Sequence, residues 1–387
     1  MKVLFIAPQP FFRIRGTPIN VRLVVRTLAE QGHEVDLLCY PFGDSVDIPG
    51  VRIIRSAGFP GIRDVKIGPS LAKFPLDGLL FLKAWGLCRR RRYEVIHAVE
   101  ESVFFAVWLK KWFKTKLIYD MDSMISDQLR TSGFVKWAWI LRMVERMECW
   151  AARESAFVLT VCQSLSDGVE ALAPGIRIVQ IEDAPLQERY TEDEVGAQEI
   201  RAAHGLQDRQ IVLYTGNLEA YQGVELLIRS AEEVVKTLPD THFLIVGGSE
   251  KHLQQMKLVA AECGVAGACT FTGTRPMEDM PGYMTAAYLL VSPRIKGTNT
   301  PLKIYTLMQA GKPIVATDLA THTQVLDDQV AVLVKPEPSF LAQGLVDVLS
   351  DSQRAKALGA ASAARVEQHY SWARFREKVR AAYALLG

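Results

Sequence analysis

Short apolar runs alternate with stretches of helical periodicity along almost the whole chain, and this alternation restricts the fold more than any single motif. Strands joined through intervening helices pair parallel, because a parallel connection needs a crossover of a dozen or more residues. The first half reads as strands at Val3–Ala7, Val35–Cys39, Val51–Arg55, Val95–His97, Leu117–Asp120, Phe157–Val161 and Ile178–Ile181. The stretch Asn20–Gln31 after the first strand sets Val21, Leu23, Val24, Leu28 and Ala29 at helical spacing. A second series starts afresh at Ile211–Thr215 and continues at Phe243–Val246, Thr270–Thr272, Tyr288–Val291, Ile314–Ala316 and Ala331–Val334. At 387 residues the chain is too long for one core. The fold class expected is therefore α/β, with two Rossmann-like doubly wound domains. Ligands of such sheets bind beyond the carboxyl ends of the strands, so two domains face to face would enclose a cleft.

The expected division is an N-terminal Rossmann-like domain over 1–185, a C-terminal Rossmann-like domain over 186–369, and a terminal helix over 370–387. The junction falls in Glu182–Gln210, which holds Pro185, the acidic run Glu192-Asp193-Glu194 and Gly205. A formal net charge of +2 gives no global reason to expect nucleic acid. The six cysteines are scattered with no Cys-x-x-Cys pair or nearby histidine cluster, which argues against a zinc site or a disulfide framework and fits a reducing cytoplasm. Pro8, Pro10, Arg13 and Arg15 cut short the apolar run at the start, so it reads as a first strand rather than a signal peptide. No window approaches the ~20 apolar residues that span a bilayer.

The segment Ser292–Thr317 reads as a helix held between two buried strands, with a loop of small and basic residues leading in. Thr300 stands at an N-cap position, Pro301 at the first helical position, Leu302, Tyr305, Leu307 and Met308 carry the helix, and Gly311 ends it. Free amides at such a start, around Asn299 and Thr300, point into the loop, where Arg294, Lys296 and Lys303 can add positive charge. The expectation is a diphosphate site.

Pro301 and Ala310-Gly311-Lys312-Pro313 also resemble the C-terminal signature of the retaining GT-B glycosyltransferases of family four, which use nucleotide-sugars. The family's two acidic positions fall on Thr298 and Thr306, where the resemblance implies contacts with the transferred sugar and with the ribose. Tyr214–Ile228 is similar to the family's strand-loop-helix: Gly216 and Gly223 match, while its two diphosphate-binding cations are here Asn217 and Gln222. Amides donate hydrogen bonds without charge, so Arg294, Lys296 or Lys303 would have to compensate. The resemblance further implies nucleotide contacts at Gly247, Thr274 and Arg275, and at Gly16 and Thr17 in the loop before the first helix. A simple turn at Gly16 is the equal alternative, and that loop lacks the dinucleotide fingerprint of dehydrogenases.

In the first half, His97 and the Asp120-Met121-Asp122 segment stand at strand ends, where acceptor and sugar contacts would lie. Asp120 and Asp122 share one side of an extended segment, and many relatives place a histidine where this chain has Asp122. The bland reading of His97 is a satisfied internal histidine. The run Phe104–Lys114 and the cluster Arg89–Arg92 offer a basic, aromatic surface for peripheral membrane contact at the inner face; the plainer reading turns Trp108 and Trp112 to the core.

The resemblance implies a metal-independent, cofactor-free transferase that moves a sugar from a nucleoside diphosphate sugar to a glycan or lipid-linked acceptor with retention, with the acceptor side in 1–185, the nucleotide-sugar site in 186–369 and the helix of 370–387 packing back on the N-terminal domain. An inactive nucleotide-sugar-binding scaffold and a sugar-nucleotide epimerase are the alternatives.

Overall fold

The computed structural model describes residues 1–13, 16–65, 70–131, 135 and 137–387. Arg15, in the loop of the Gly16 reading, lies outside them. The chain divides into two compact units, Met1–Asp183 with Phe375–Gly387, and Ala184–Arg374.

The first unit is built on β1 (Lys2–Ala7), β2 (Glu34–Cys39), β3 (Val51–Arg55), β4 (Val95–Val99), β5 (Lys116–Met121), β6 (Phe157–Thr160) and β7 (Ile178–Gln180). They form one parallel sheet in the order β3-β2-β1-β4-β5-β6-β7. The second holds β8 (Gln210–Thr215), β9 (Thr241–Val246), β10 (Cys269–Gly273), β11 (Leu289–Ser292), β12 (Ile314–Thr317) and β13 (Val332–Val334), paired parallel in the order β10-β9-β8-β11-β12-β13. All thirteen expected strands are present. Strands covered by helices on both faces must be apolar throughout, which is why β4, β9 and β11 are buried at every position and why such runs stood out in the sequence.

The two sheets share one topology. In each, the first strand has the second on one side and the fourth on the other, and this reversal opens a crevice at the strand carboxyl ends, at β1/β4 and at β8/β11.

Two helix starts differ from expectation. The first helix begins at Gly16 rather than Asn20, so Gly16 and Thr17 form its opening turn. The helix after β11 is Lys303–Gln309 rather than 300–310. Its entry is tightened by bonds from the Ile304 amide to the Pro301 carbonyl and from the Tyr305 amide to that of Leu302, which delays the α-helical pattern by three residues. Thr300 is consequently no N-cap, and its buried hydroxyl has no partner among the described residues. Gly311, at φ +65°, does close this helix.

The last helix, Trp372–Ala384, sets Phe375, Val379, Ala382 and Tyr383 on one buried face. Within the first unit it is fixed by Gln31 Nε2 donating to the Arg376 carbonyl at 2.9 Å and by the Arg376–Glu30 pair at 3.0 Å.

Candidate functional site

At the β8/β11 crevice the backbone itself comes close enough to require glycine. Gly223, at φ +70°, would place a Cβ 1.9 Å from the Pro293 carbonyl oxygen, and Gly247, at φ +116°, would place one 2.0 Å from that of Gly216. The loop after β8 is thereby pressed onto the end of β11. Asn217 closes it, its carbonyl accepting the Tyr214 hydroxyl at 2.6 Å and its side chain accepting the Glu219 amide at 3.2 Å.

Into this crevice comes Lys303. Its Nζ donates to the Thr215 carbonyl at 3.3 Å and to Gln222 Oε1 at 3.4 Å, and lies 4.3 Å from the centre of the Tyr214 ring. Gln222, where the family has a cation, thus holds a cation that comes from another element. Burial, then the neighbouring Arg294, pulls the Lys303 pKa down to about 7. Lys303 therefore meets water as an ammonium only part of the time, and an entering anion would fix its charge.

Arg294 lies over the Tyr221 ring at 5.1 Å, donating through Nε to the Lys296 carbonyl at 2.8 Å and through Nη1 to that of Asn299 at 3.3 Å. Gly297 makes room for it, since a Cβ there would stand 2.7 Å from the guanidinium. Behind it, the Thr317 hydroxyl donates to the Arg294 carbonyl at 2.5 Å. His322 is buried between Ser292 Oγ (2.9 Å) and the Thr317 carbonyl (2.8 Å), with its pKa lowered by burial to about 4, so it is a neutral brace. Nothing in the sequence pattern announced Ser292, Thr317 and His322 as supports; their partners are 30 and 5 residues apart in the chain.

The remaining expected residues divide. Thr298 edges the loop, its carbonyl accepting from Gln324 at 2.8 Å, and Pro301 and Leu302 are half-buried in the helix entry. Thr306 is buried, and its hydroxyl oxygen accepts the Leu186 amide at 3.1 Å. Thr274 and Arg275 are exposed past β10, with Thr274 Oγ1 donating to the Gly248 carbonyl at 3.2 Å.

The crevice of the first unit is acidic. Glu100, in a left-handed conformation (φ 47°), and Glu101 follow β4; Asp122 follows β5 and is hydrogen-bonded to Thr17 in the first helical turn; Asp183 follows β7 and accepts from Asn20 at 2.6 Å. Asp77 accepts the Tyr40 hydroxyl at 2.5 Å, and Glu101 pairs with Lys73 at 2.6 Å. Burial, then the charge of Glu101, raises both Asp77 and Glu100 to about 7. Burial raises Asp183 to about 6, and burial with Asp120 and Glu100 raises Asp122 well above the ordinary range. Of this group the sequence reading held Asp122 and Thr17; the pair Glu100-Glu101 directly after a buried strand was the signal that could have found the rest.

His97 lies beneath this crevice rather than in it. It is fully buried, stacked on Phe5 at 4.0 Å, with Nε2 against Asp120 at 2.9 Å and Nδ1 against the Tyr383 hydroxyl at 2.8 Å. Both ring nitrogens are engaged, so His97 ties β4 and β5 to the last helix.

Comparison with known proteins assigns the chain. A model described as glycosyl transferase 4-like domain matches residues 15–182, and one described as glycosyl transferases group 1 matches residues 209–351. The chain belongs to the group 1 glycosyltransferases. A GDP-mannose-dependent alpha-(1-6)-phosphatidylinositol monomannoside mannosyltransferase of Mycolicibacterium smegmatis is 28% identical over 216 residues, 54% of each chain, so the match spans about half of that enzyme. The D-inositol 3-phosphate glycosyltransferase of Corynebacterium diphtheriae is 22% identical over 394 residues, covering 95% of this chain and 89% of that one. Among solved structures, sucrose-phosphate synthase from Thermosynechococcus elongatus has the same fold with a TM-score of 0.83 at 20% identity, covering 100% and 98% of the two chains.

Proposed function

We propose that the protein transfers a glycosyl unit from a nucleoside diphosphate sugar to a hydroxyl of a glycan or lipid-linked acceptor, with retention of configuration and without a metal ion bridging the phosphates. The observation that carries this reading is the enclosed Lys303 beside Arg294 at the β8/β11 crevice, a paired cation site without a carboxylate among its bonded partners in the described residues. A diphosphate entering there recovers the charge that burial denies Lys303. Arg294, stacked and doubly bonded to backbone, is a fixed fork, while Lys303 acts as a movable point charge. As the anomeric carbon–oxygen bond to the diphosphate breaks, negative charge grows on the leaving oxygen, and donors already in place need little reorganisation to stabilise it. The acceptor oxygen bonds to the anomeric carbon on the same face, and its proton passes to the departing diphosphate.

In the first unit, carboxyls whose pKa is raised toward neutral carry a proton part of the time, and a protonated one can both donate to and accept from sugar hydroxyls. That suits a neutral, polyhydroxylated acceptor end and disfavours a phosphate. The relative from M. smegmatis takes GDP-mannose, which supports a nucleotide-sugar donor here without fixing its base or sugar.

The test is incubation with UDP-, GDP- and ADP-sugars and a cell-envelope extract, with proton NMR of the new linkage and a parallel reaction in EDTA. Transfer with the donor's anomeric configuration, undiminished by EDTA, is expected. Nucleotide binding without transfer would indicate a scaffold, and conversion of the free sugar nucleotide an epimerase.

A further inference from the structure

The helices Lys73–Arg90, Ala138–Glu154 and Ser102–Phe113 of the first unit carry a run of aromatic side chains that the core absorbs only in part, Trp85 and Trp150 being half-buried against it. Trp108 and Trp112 are 49% and 51% exposed, contrary to their expected place in the core. They contact each other at 6.1 Å; Trp112 then meets Trp85 at 4.4 Å on one flanking helix, and Trp108 meets Trp150 at 6.1 Å on the other. The run continues outward on both sides. On 73–90, Phe74, Leu82 and Trp85 recur at helical spacing, with Phe74 and Leu82 mostly exposed. On 138–154, Trp139, Met143, Met147 and Trp150 are spaced four, four and three residues apart, which places them on one helical face, and the first three are exposed. Helix 138–154 buries only Glu148, Ala151 and Ala152.

Charge decides what such a face fits. The three helices hold nine lysines and arginines against four acidic residues, whereas the whole chain has 45 against 43. Lys111 stands over the rings of both Trp108 and Trp150, at 5.9 and 5.6 Å, so cation and indole occupy the same surface. Exposed indoles settle at the level of lipid headgroups, and lysine and arginine beside them attract anionic lipid. Binding in the interface scales with buried apolar area plus attraction to anionic lipid, and both contributions are present here. No helix among the described residues is long and apolar enough to cross a membrane, so contact would lie in the plane of the surface.

We propose that this three-helix face docks on an anionic lipid bilayer. The inference does not depend on the catalytic reading. It is tested by sedimenting the full chain with vesicles of phosphatidylcholine alone or mixed with phosphatidylglycerol. Binding to the mixed vesicles only, weakened by salt and accompanied by a blue shift of tryptophan emission, is expected. A Trp108→Ser/Trp112→Ser/Trp139→Ser variant, and separately Lys111→Glu/Arg142→Glu/Arg146→Glu, should each lose roughly tenfold or more in partitioning. Both should keep the parent's far-ultraviolet circular dichroism and unfolding profile, which shows that the first unit is folded, and both should bind nucleoside diphosphate like the parent, which separates this surface from the donor site. Failure of the parent to bind either vesicle, equal binding to both, or unchanged partitioning of both variants would overturn the proposal. So would a lipid-free dimer, seen by light scattering, that the tryptophan variant abolishes, since the face would then join two copies of the chain.

Discussion

The two units use one strand order and give their crevices opposite electrostatics. At β1/β4, buried carboxyls are pushed up to about 7; at β8/β11, a buried ammonium is pulled down to about 7. Burial is the leading cause in both cases, and it acts against whichever charged form is present. The scaffold therefore supplies the crevice, and the residues at the strand ends decide what enters it: an anion where charge has to be completed, a hydroxyl-bearing neutral group where protons are already shared.

The comparison breaks most visibly if its cations do not matter. Lys303→Ala should lower turnover by roughly 10²–10³-fold with a smaller effect on donor affinity, because its interaction strengthens as the bond breaks. Arg294→Ala should impair both quantities in steady-state assays. A double variant that folds and transfers sugar at the parental rate would place diphosphate neutralisation elsewhere.

The glycines sharpen the contrast. Gly223→Ala and Gly247→Ala each combine a positive φ with a clash against a carbonyl oxygen, and should cost roughly 1–3 kcal/mol or more in chemical denaturation. Gly16→Ala meets nothing within 4 Å, so the fold should be unharmed. A fall in donor affinity in that variant would support the phosphate role of the first turn, and an unchanged affinity would leave Gly16 as a helix start.

Protonation gives a third, smaller difference. Glu100 is raised from 4.5 to about 7, so the folded protein binds more protons than the unfolded chain between these values and loses stability as pH rises through them. Glu100→Gln should then be more stable than the parent by about 1–3 kcal/mol at pH 8, with the gap closing below pH 4.5. Denaturation curves that stay parallel across that range would contradict the account.

The smallest effect expected is at Thr306. Its hydroxyl oxygen already accepts the Leu186 amide, so Thr306→Val should cost ~0.5–1.5 kcal/mol of stability while leaving the nucleotide dissociation constant unchanged. A weakened dissociation constant would restore the ribose contact expected from the sequence.

Legibility followed the range of the interactions. Thirteen strands were readable because burial on both faces makes each an uninterrupted apolar run, a local property. Arg294 and Lys303 were readable as cations near a strand end, but the bond of Lys303 to Gln222 joins residues 81 apart and needed the folded chain. The N-cap at Thr300 was misplaced because composition favours capping there, whereas the turn bonds at Pro301 and Leu302 move the start. Trp108 and Trp112 look like core residues by type, and only the packing of three helices shows them outside.

The central claim is that the second unit's crevice completes its charge with the donor's phosphates. Calorimetry of nucleoside diphosphate binding between pH 7 and pH 9, in buffers of different ionisation enthalpy, tests it most directly. With Lys303 near 7 in the free protein, binding should take up a proton and affinity should fall as pH rises, approaching tenfold per unit. Lys303→Gln should bind more weakly with no uptake attributable to this range, and Glu100→Gln should behave like the parent. Proton uptake that survives in Lys303→Gln, or disappears in Glu100→Gln, would contradict the account.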